Sequence, residues 1–282
     1  DIVGTSLTSL GGSTSTGLPY ALVKAQNKVF FCNGSVPLLF ADGEASIKVA
    51  GNVPGACRYL TANANHLIGA YWTEPDPTQS GSTVFPQRVR WSDSNNFFEW
   101  GVADPAFSSG LTDLVNTPDN ITGLSTLGTY SYVYRNNGIS IMQPTGIASI
   151  PFYIPNYSIA PKGEGNAYPY SLATYNNIDR FIGNFDVFSF DGSNFTSLMD
   201  KKCNAEFFND LKSATGVSQV RGIMCNILDN GYTYLAYLIT IPGANVSWIM
   251  NVSDGYWTRL SWLPNGLVGY SDLQLIEQVY LS

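Results

Sequence analysis

The sequence predicts an all-β fold, a β-propeller of about five four-stranded blades with one short helix between blades. Three observations carry this expectation. Short aromatic and β-branched runs recur along the chain, Asn-Gly and Asp-Gly pairs punctuate them, and the units return about every 50 residues. Asn-Gly and Asp-Gly suit two-residue hairpin turns because both central positions need positive φ. Bulky β-branched and aromatic residues beside them fit pleated, half-buried strands.

In chain order, Val29-Phe30-Phe31-Cys32 leads into Asn33-Gly34, and Val36-Pro37-Leu38-Leu39-Phe40 leads into Asp42-Gly43. Arg88-Val89-Arg90-Trp91 and Phe97-Phe98 are expected as strands around a turn at Ser92–Asn96. Tyr130–Tyr134 precedes Asn137-Gly138, and Ile139-Ser140-Ile141 follows. Phe185–Phe190 precedes Asp191-Gly192 and then Phe195. Tyr232–Leu238 follows Asn230-Gly231, and Trp248-Ile249-Met250 runs to Asp254-Gly255 and then Tyr256-Trp257. Among the turn glycines Gly34, Gly138, Gly192 and Gly255, the first interval is about twice the other two, and the Ser92–Asn96 turn fills it. Each unit of that length holds about four short strands, which favours a propeller over a sandwich.

One segment, Asp200–Lys212, lacks β alternation. Cys203, Phe207 and Leu211 fall on one helical face, with Asp200 as the expected N-cap, so a short packed helix between blades is predicted. Thr73–Phe85 and Pro155–Pro169 read as long irregular loops. Residues 1–19 read as a linker or the edge of a truncated domain, and 20–282 as the propeller. No closing strand is evident at the C-terminus, which leaves the propeller open to completion by a further blade or domain.

Composition excludes several classes. Charged residues are only 12% of the 282, aromatics 13%, and the net charge is -7. Disordered chains are poor in aromatics, and nucleic-acid grippers carry a basic face; this chain has neither property. No apolar run approaches the ~18 residues of a membrane helix, and no signal-peptide pattern opens the chain. Cys32, Cys57, Cys203 and Cys225 are widely spaced, without a C-x-x-C pair, and read as free, buried thiols. Six N-x-S/T sequons, at Asn33, Asn120, Asn156, Asn194, Asn245 and Asn251, are no more than an Asn- and Ser-rich chain produces by chance.

Catalytic patterns are sparse. The single histidine, His66, heads an apolar strand in Ala62–Gly69 and reads as a turn residue rather than a base. With one histidine there is no His-rich metal site, and Gly163-Glu164-Gly165 lacks the rest of a dinucleotide fingerprint. Glycosidases need two carboxylates. The pairs weighed are Glu74 and Asp76, Asp93 and Glu99, Asp186 and Asp191, and Glu206 and Asp210, the last on a solvated helix face. None stands apart from a structural role. Ser253-Asp254-Gly255-Tyr256-Trp257 has the wrong spacing for a sialidase Asp-box, and the seven arginines form no recognisable constellation. The expectation is therefore a non-enzymatic protein with no catalytic, cofactor or metal residues. A glycan-binding propeller is the alternative, since aromatic rings stack on sugar faces, and a glycosidase is the third reading.

The hairpins carry a resemblance. Val29–Gly34 with Pro37–Phe40, Gln87-Arg88-Val89-Arg90-Trp91-Ser92-Asp93 with Trp100, Asn120–Leu124 with Tyr130–Arg135, and Asp186–Gly192 resemble the β-propeller tail proteins of tailed bacteriophages. The resemblance spans about Tyr20 to Trp262, and R-V-R-W-S-D followed by Trp is its most particular element. It implies a virion structural protein of the packaged-DNA stabilisation, tail-nozzle or tail-hub type, assembled in the host cytoplasm. Such a protein forms a homo-oligomeric ring with other tail proteins, closes the channel and helps retain DNA. The net-negative balance suits DNA that passes through a lumen without being gripped.

Overall fold

The computed structural model describes residues 19–43, 47–76, 81–102, 106–161, 163–199, 203–213, 220–229, 232–261 and the backbone of 278–280. Its strand content is 53% against 6% helix, so the expected all-β class holds. Five sheets account for it, each built on a four-stranded antiparallel meander in chain order, as propeller blades are. The chain divides into two compact units: Asp1–Arg135 with Ser140–Ile159, and Asn136–Ile139 with Ala160–Ser282.

The first unit holds three sheets. The first is β1 (Ala21–Ala25), β2 (Lys28–Cys32), β3 (Leu39–Ala41) and β4 (Lys48–Val49). The second is β5 (Ala56–Asn63), β6 (His66–Pro75), β7 (Ser82–Trp91) and β8 (Gly110–Asp113). The third is β9 (Ile121–Leu127), β10 (Tyr130–Arg135), β11 (Gly138–Ile147) and β12 (Ile150–Tyr153). Phe30, Cys32, Leu38, Cys57, Leu67, Trp72, Phe97 and Trp100 belong to one core cluster of this unit.

The second unit holds β13 (Ala173–Tyr175), β14 (Ile178–Ile182), β15 (Val187–Phe190) and β16 (Phe195–Ser197), then α1 (Asn204–Ser213). Its last sheet is β17 (Arg221–Asp229), β18 (Tyr232–Ile241), β19 (Val246–Asn251) and β20 (Trp257–Leu260). A further strand, β21 (Gln278–Tyr280), runs parallel to β17 at the edge of this sheet. The long apolar run of β18 is explained by burial on both faces. Tyr237, Ile239 and Ile241 enter one cluster with α1, while Ala236 and Leu238 enter another with Cys225 and Ile249.

The helix follows the predicted face. Phe207 and Leu211 are buried, and Phe207 meets Trp248 edge-on at 5.5 Å. Its start differs from expectation: the Cys203 carbonyl accepts the Phe207 amide, so Cys203 holds the N-cap position, and Asp200 lies outside the described residues. Cys203 is half-buried, whereas the other three thiols are buried.

The tightest turns are not the Asn-Gly pairs. Ala64-Asn65 has φ 47° and 61°, and Asn176-Asn177 has φ 52° and 58°; these close Asn63 on His66 and Tyr175 on Ile178. Gly34, Gly43, Gly192 and Gly255 do adopt positive φ, but within longer loops. Gly138 is the first residue of β11 rather than a turn residue. Asn230-Gly231 and residues 1–18 of the expected linker lie outside the described residues.

Two expectations are corrected. Thr73–Phe85 is not an irregular loop, because β6 continues through Pro75 and pairs with β7 from Ser82. Phe97-Phe98 is not a strand but a turn inside the loop joining β7 to β8, and Phe97 serves the core. The second expected loop is present: residues 154–172 carry no strand or helix among those described.

Candidate functional site

The most distinctive stretch of sequence, Arg88–Asp93, runs from the end of β7 into the loop that follows, where two polar networks meet. The first is ionic. Arg90 grips Glu74 with two bonds, Nε to Oε1 at 2.8 Å and Nη2 to Oε2 at 2.7 Å. Arg88 donates to the same carboxylate at 3.1 Å and holds Asp113 with two further bonds of 2.8 Å each. Glu74 and Arg90 are both 8% exposed. Asp113 is pulled below its usual range by the Arg88 bonds.

A break in register creates this cluster. Ala70 pairs with Val89 but Trp72 pairs with Phe85, so Pro86, Gln87 and Arg88 bulge opposite Tyr71. Pro86 has no N–H to give the ladder and suits a bulge. Tyr71 sits at φ 58°, a strained conformation for a bulky residue, with the Arg58 guanidinium 4.0 Å over its ring.

The second network clamps the β7–β8 loop. Asp93 Oδ1 accepts from Ser108 N at 2.8 Å and Ser108 Oγ at 2.7 Å, and Oδ2 accepts from Asn95 N at 3.0 Å. Burial pushes the Asp93 carboxyl up, but these bonds together outweigh it and hold it below its usual range. Trp91 Nε1 donates to the Ser108 carbonyl at 3.0 Å, closing the same loop. Ser92 Oγ accepts from Leu67 N at 2.9 Å and donates to the Asp93 carbonyl.

His66 joins this network through Ser92. It is 4% exposed, edge-on to Phe152 at 5.1 Å, with Nδ1 2.6 Å from the Ser92 carbonyl. A carbonyl only accepts, so Nδ1 carries the hydrogen. Burial lowers the histidine's proton affinity, with Ser92 and Asp93 opposing incompletely. The folded state therefore binds the proton less readily than the unfolded chain, which titrates near ~6.5. The neutral-state stability is complete above that value and is lost as pH falls through it toward the lower folded value. Urea midpoints of the native chain should thus drop from about pH 7.5 to about pH 5 by more than those of His66→Asn, which keeps a donor toward Ser92. Equal drops would remove His66 from the acid response.

The other weighed carboxylates are also committed locally. Asp76 meets Thr83 Oγ1 at 3.5 Å. Glu99 Oε1 accepts the Gly101 amide at 2.8 Å. Asp191 Oδ1 accepts the Ser193 and Asn194 amides at 2.8 and 2.7 Å, as a turn aspartate does. Asp186 accepts from its neighbour Val187 N at 2.7 Å and from Ser197 Oγ. Asp210 is not a freely solvated residue: it accepts from Trp248 Nε1 at 2.9 Å and from Arg259 at 2.8 and 2.9 Å, docking α1 on the last sheet. Glu206 reaches the same Arg259 at 3.4 Å. The Asn33 sequon is 2% exposed, and its side chain caps Ser35 and Val36 instead of facing solvent.

Sequence reasoning missed Glu164. Burial raises its carboxyl and the Asp186 charge adds to the rise, against hydrogen bonds from the Asn184 and Phe185 amides. Asn184 Nδ2 ties this loop to the Gly163 carbonyl at 2.8 Å. Phe185, between them in sequence, is 73% exposed. No spacing rule links Glu164 to Asp186, because a loop and a strand pair lie between them.

Among the described residues, no three His, Cys, Asp or Glu side chains cluster as a metal site, and no helix is long and apolar enough to cross a membrane. No protein-family model matches the chain, and no curated protein matches it.

Proposed function

We propose that this chain is a structural component of a bacteriophage tail, a non-enzymatic nozzle- or hub-like protein of the virion. In this reading copies of the chain and other tail proteins build a ring that closes the tail channel. The observation that supports it is the fate of the R-V-R-W-S-D run. Its arginines, serine and aspartate are all used in internal bonds that fix a hairpin and a loop, as a scaffold requires. The net charge of -7 is compatible with a lumen that lets DNA slide rather than gripping its phosphates.

Phe185 favours a second reading, a glycan-binding surface. Phe185 is exposed, its backbone amide meets Glu164 and Asp186 follows it in the chain, which puts an aromatic face in a segment that carries carboxylates. One experiment separates the two. Light scattering and negative-stain imaging of the purified chain should show ring-shaped oligomers, with no binding on a glycan array. A chain that stays monomeric, and binds glycans in a manner lost on Phe185→Ala, would overturn the tail reading.

A further inference from the structure

The four cysteines are far apart in sequence, yet the fold brings two of them together. Cys32 ends β2 in the first sheet, Cys57 lies near the start of β5 in the second, and both side chains are fully buried. The Gly34 amide donates to the Cys57 carbonyl at 2.7 Å, which holds the chain just past Cys32 against β5. Both thiols lie inside the cluster of Val23, Phe30, Leu38 and Trp72, where Cys57 adds to the burial that keeps Cys32 protonated. Cys203 and Cys225 belong to the other compact unit.

We infer that Cys32 and Cys57 are a disulfide-forming pair, a covalent staple between the first and second sheets. The two thiols give up two protons and two electrons to form one S–S bond. A low-molecular-weight disulfide such as oxidised glutathione accepts them and leaves as two thiols. Burial holds the Cys32 thiol well above its usual range, and both side chains are fully buried, so external reagents do not reach the pair in the folded chain. The bond therefore forms while the chain folds, and once formed it is shielded from reductant by the same burial. Closing the chain between these positions restricts the unfolded ensemble and stabilises the fold. This holds whether or not the protein is a tail component.

The test is refolding from denaturant, in parallel, with an oxidised–reduced glutathione couple and with reductant alone. Remaining thiols are then blocked with N-ethylmaleimide in denaturant and mapped by peptide mass spectrometry. The oxidised sample should contain Cys32 linked to Cys57, with Cys203 and Cys225 labelled. Its Tm should exceed that of the reduced sample by about 5–10 °C. The same link and rise should persist in a Cys203→Ala, Cys225→Ala double variant, which removes competing thiols. Maleimide on Cys32 and Cys57 after oxidative refolding, or either one bonded instead to Cys203 or Cys225, would overturn the inference.

Discussion

Exchanging Arg90 for methionine is expected to lower the unfolding free energy by about 3–5 kcal/mol, near the upper end for one substitution. The cost arises from Glu74 rather than from the lost arginine. Glu74 is 8% exposed and receives two of its three arginine bonds from Arg90. Methionine fills much of the arginine stem's volume but offers no donor, so the carboxylate is left buried with only the 3.1 Å bond from Arg88. That remaining bond places the expected loss toward the lower end of the range. The companion variant decides the cause. Pairing Arg90→Met with Glu74→Leu removes both buried charges, and it should recover most of the loss, since Arg88 keeps its two bonds to Asp113. Urea unfolding of the native, single and double variants at unchanged m-value measures each step. A single variant within about 0.5 kcal/mol of the native chain would show that Glu74 finds water instead.

The strands were legible because aromatic and β-branched runs are long enough to override their loops. Tyr130–Tyr134, Trp248–Met250 and Arg88–Trp91 all lie within β10, β19 and β7. Turn positions were less legible, since Asn and even Ala64 accept left-handed φ once the flanking ladder is in place. Phe97-Phe98 misled for a specific reason. Their composition is that of a strand, but the Asp93 and Trp91 bonds to Ser108 close the loop that carries Phe97, and Phe97 fills the core. Thr73–Phe85 misled in the opposite direction. Pro75 suggested a break, yet it sits at the last position of β6, where it pairs with Ser82 and ends the strand.

The polar site was mostly invisible in sequence. The motif R-V-R-W-S-D was conspicuous, but the carboxylate it serves lies sixteen residues from Arg90, across a hairpin whose register changes at Tyr71. Spacing rules assume a regular ladder, so they cannot place Glu74 against both arginines. Glu164 and the Cys32–Cys57 pair depend likewise on the packing of separate segments. Asp210 shows the limit of helical-face reasoning. It shares a turn with Glu206 as expected, but Trp248 and Arg259 reach it from the sheet.

Replacing Trp72 by alanine should cost about 3–5 kcal/mol, comparable to the Arg90 effect but of different origin. The indole is fully buried, its Nε1 donates to the Gly69 carbonyl at 2.9 Å, and its ring meets Trp100 at 5.3 Å, tilted by 63°. Gly69 is part of the same fit: a Cβ there would stand 2.6 Å from the indole Cζ2, so the ring occupies the space a side chain would need. Trp100 comes from the β7–β8 loop and is 1% exposed, with its own Nε1 held by the Phe97 carbonyl at 2.9 Å. The loop is thus fastened at its ends by Asp93 and in its middle by ring packing. Trp100→Ala should destabilise the protein by a similar amount, and the double variant should lose less than the two singles together. The non-additive part should be about 0.5–1.5 kcal/mol, the value of an edge-to-face ring pair. A double-mutant cycle in urea reads that coupling directly. Strict additivity would mean that each indole packs against aliphatic neighbours alone and that the loop is anchored through Asp93 without help from Trp72.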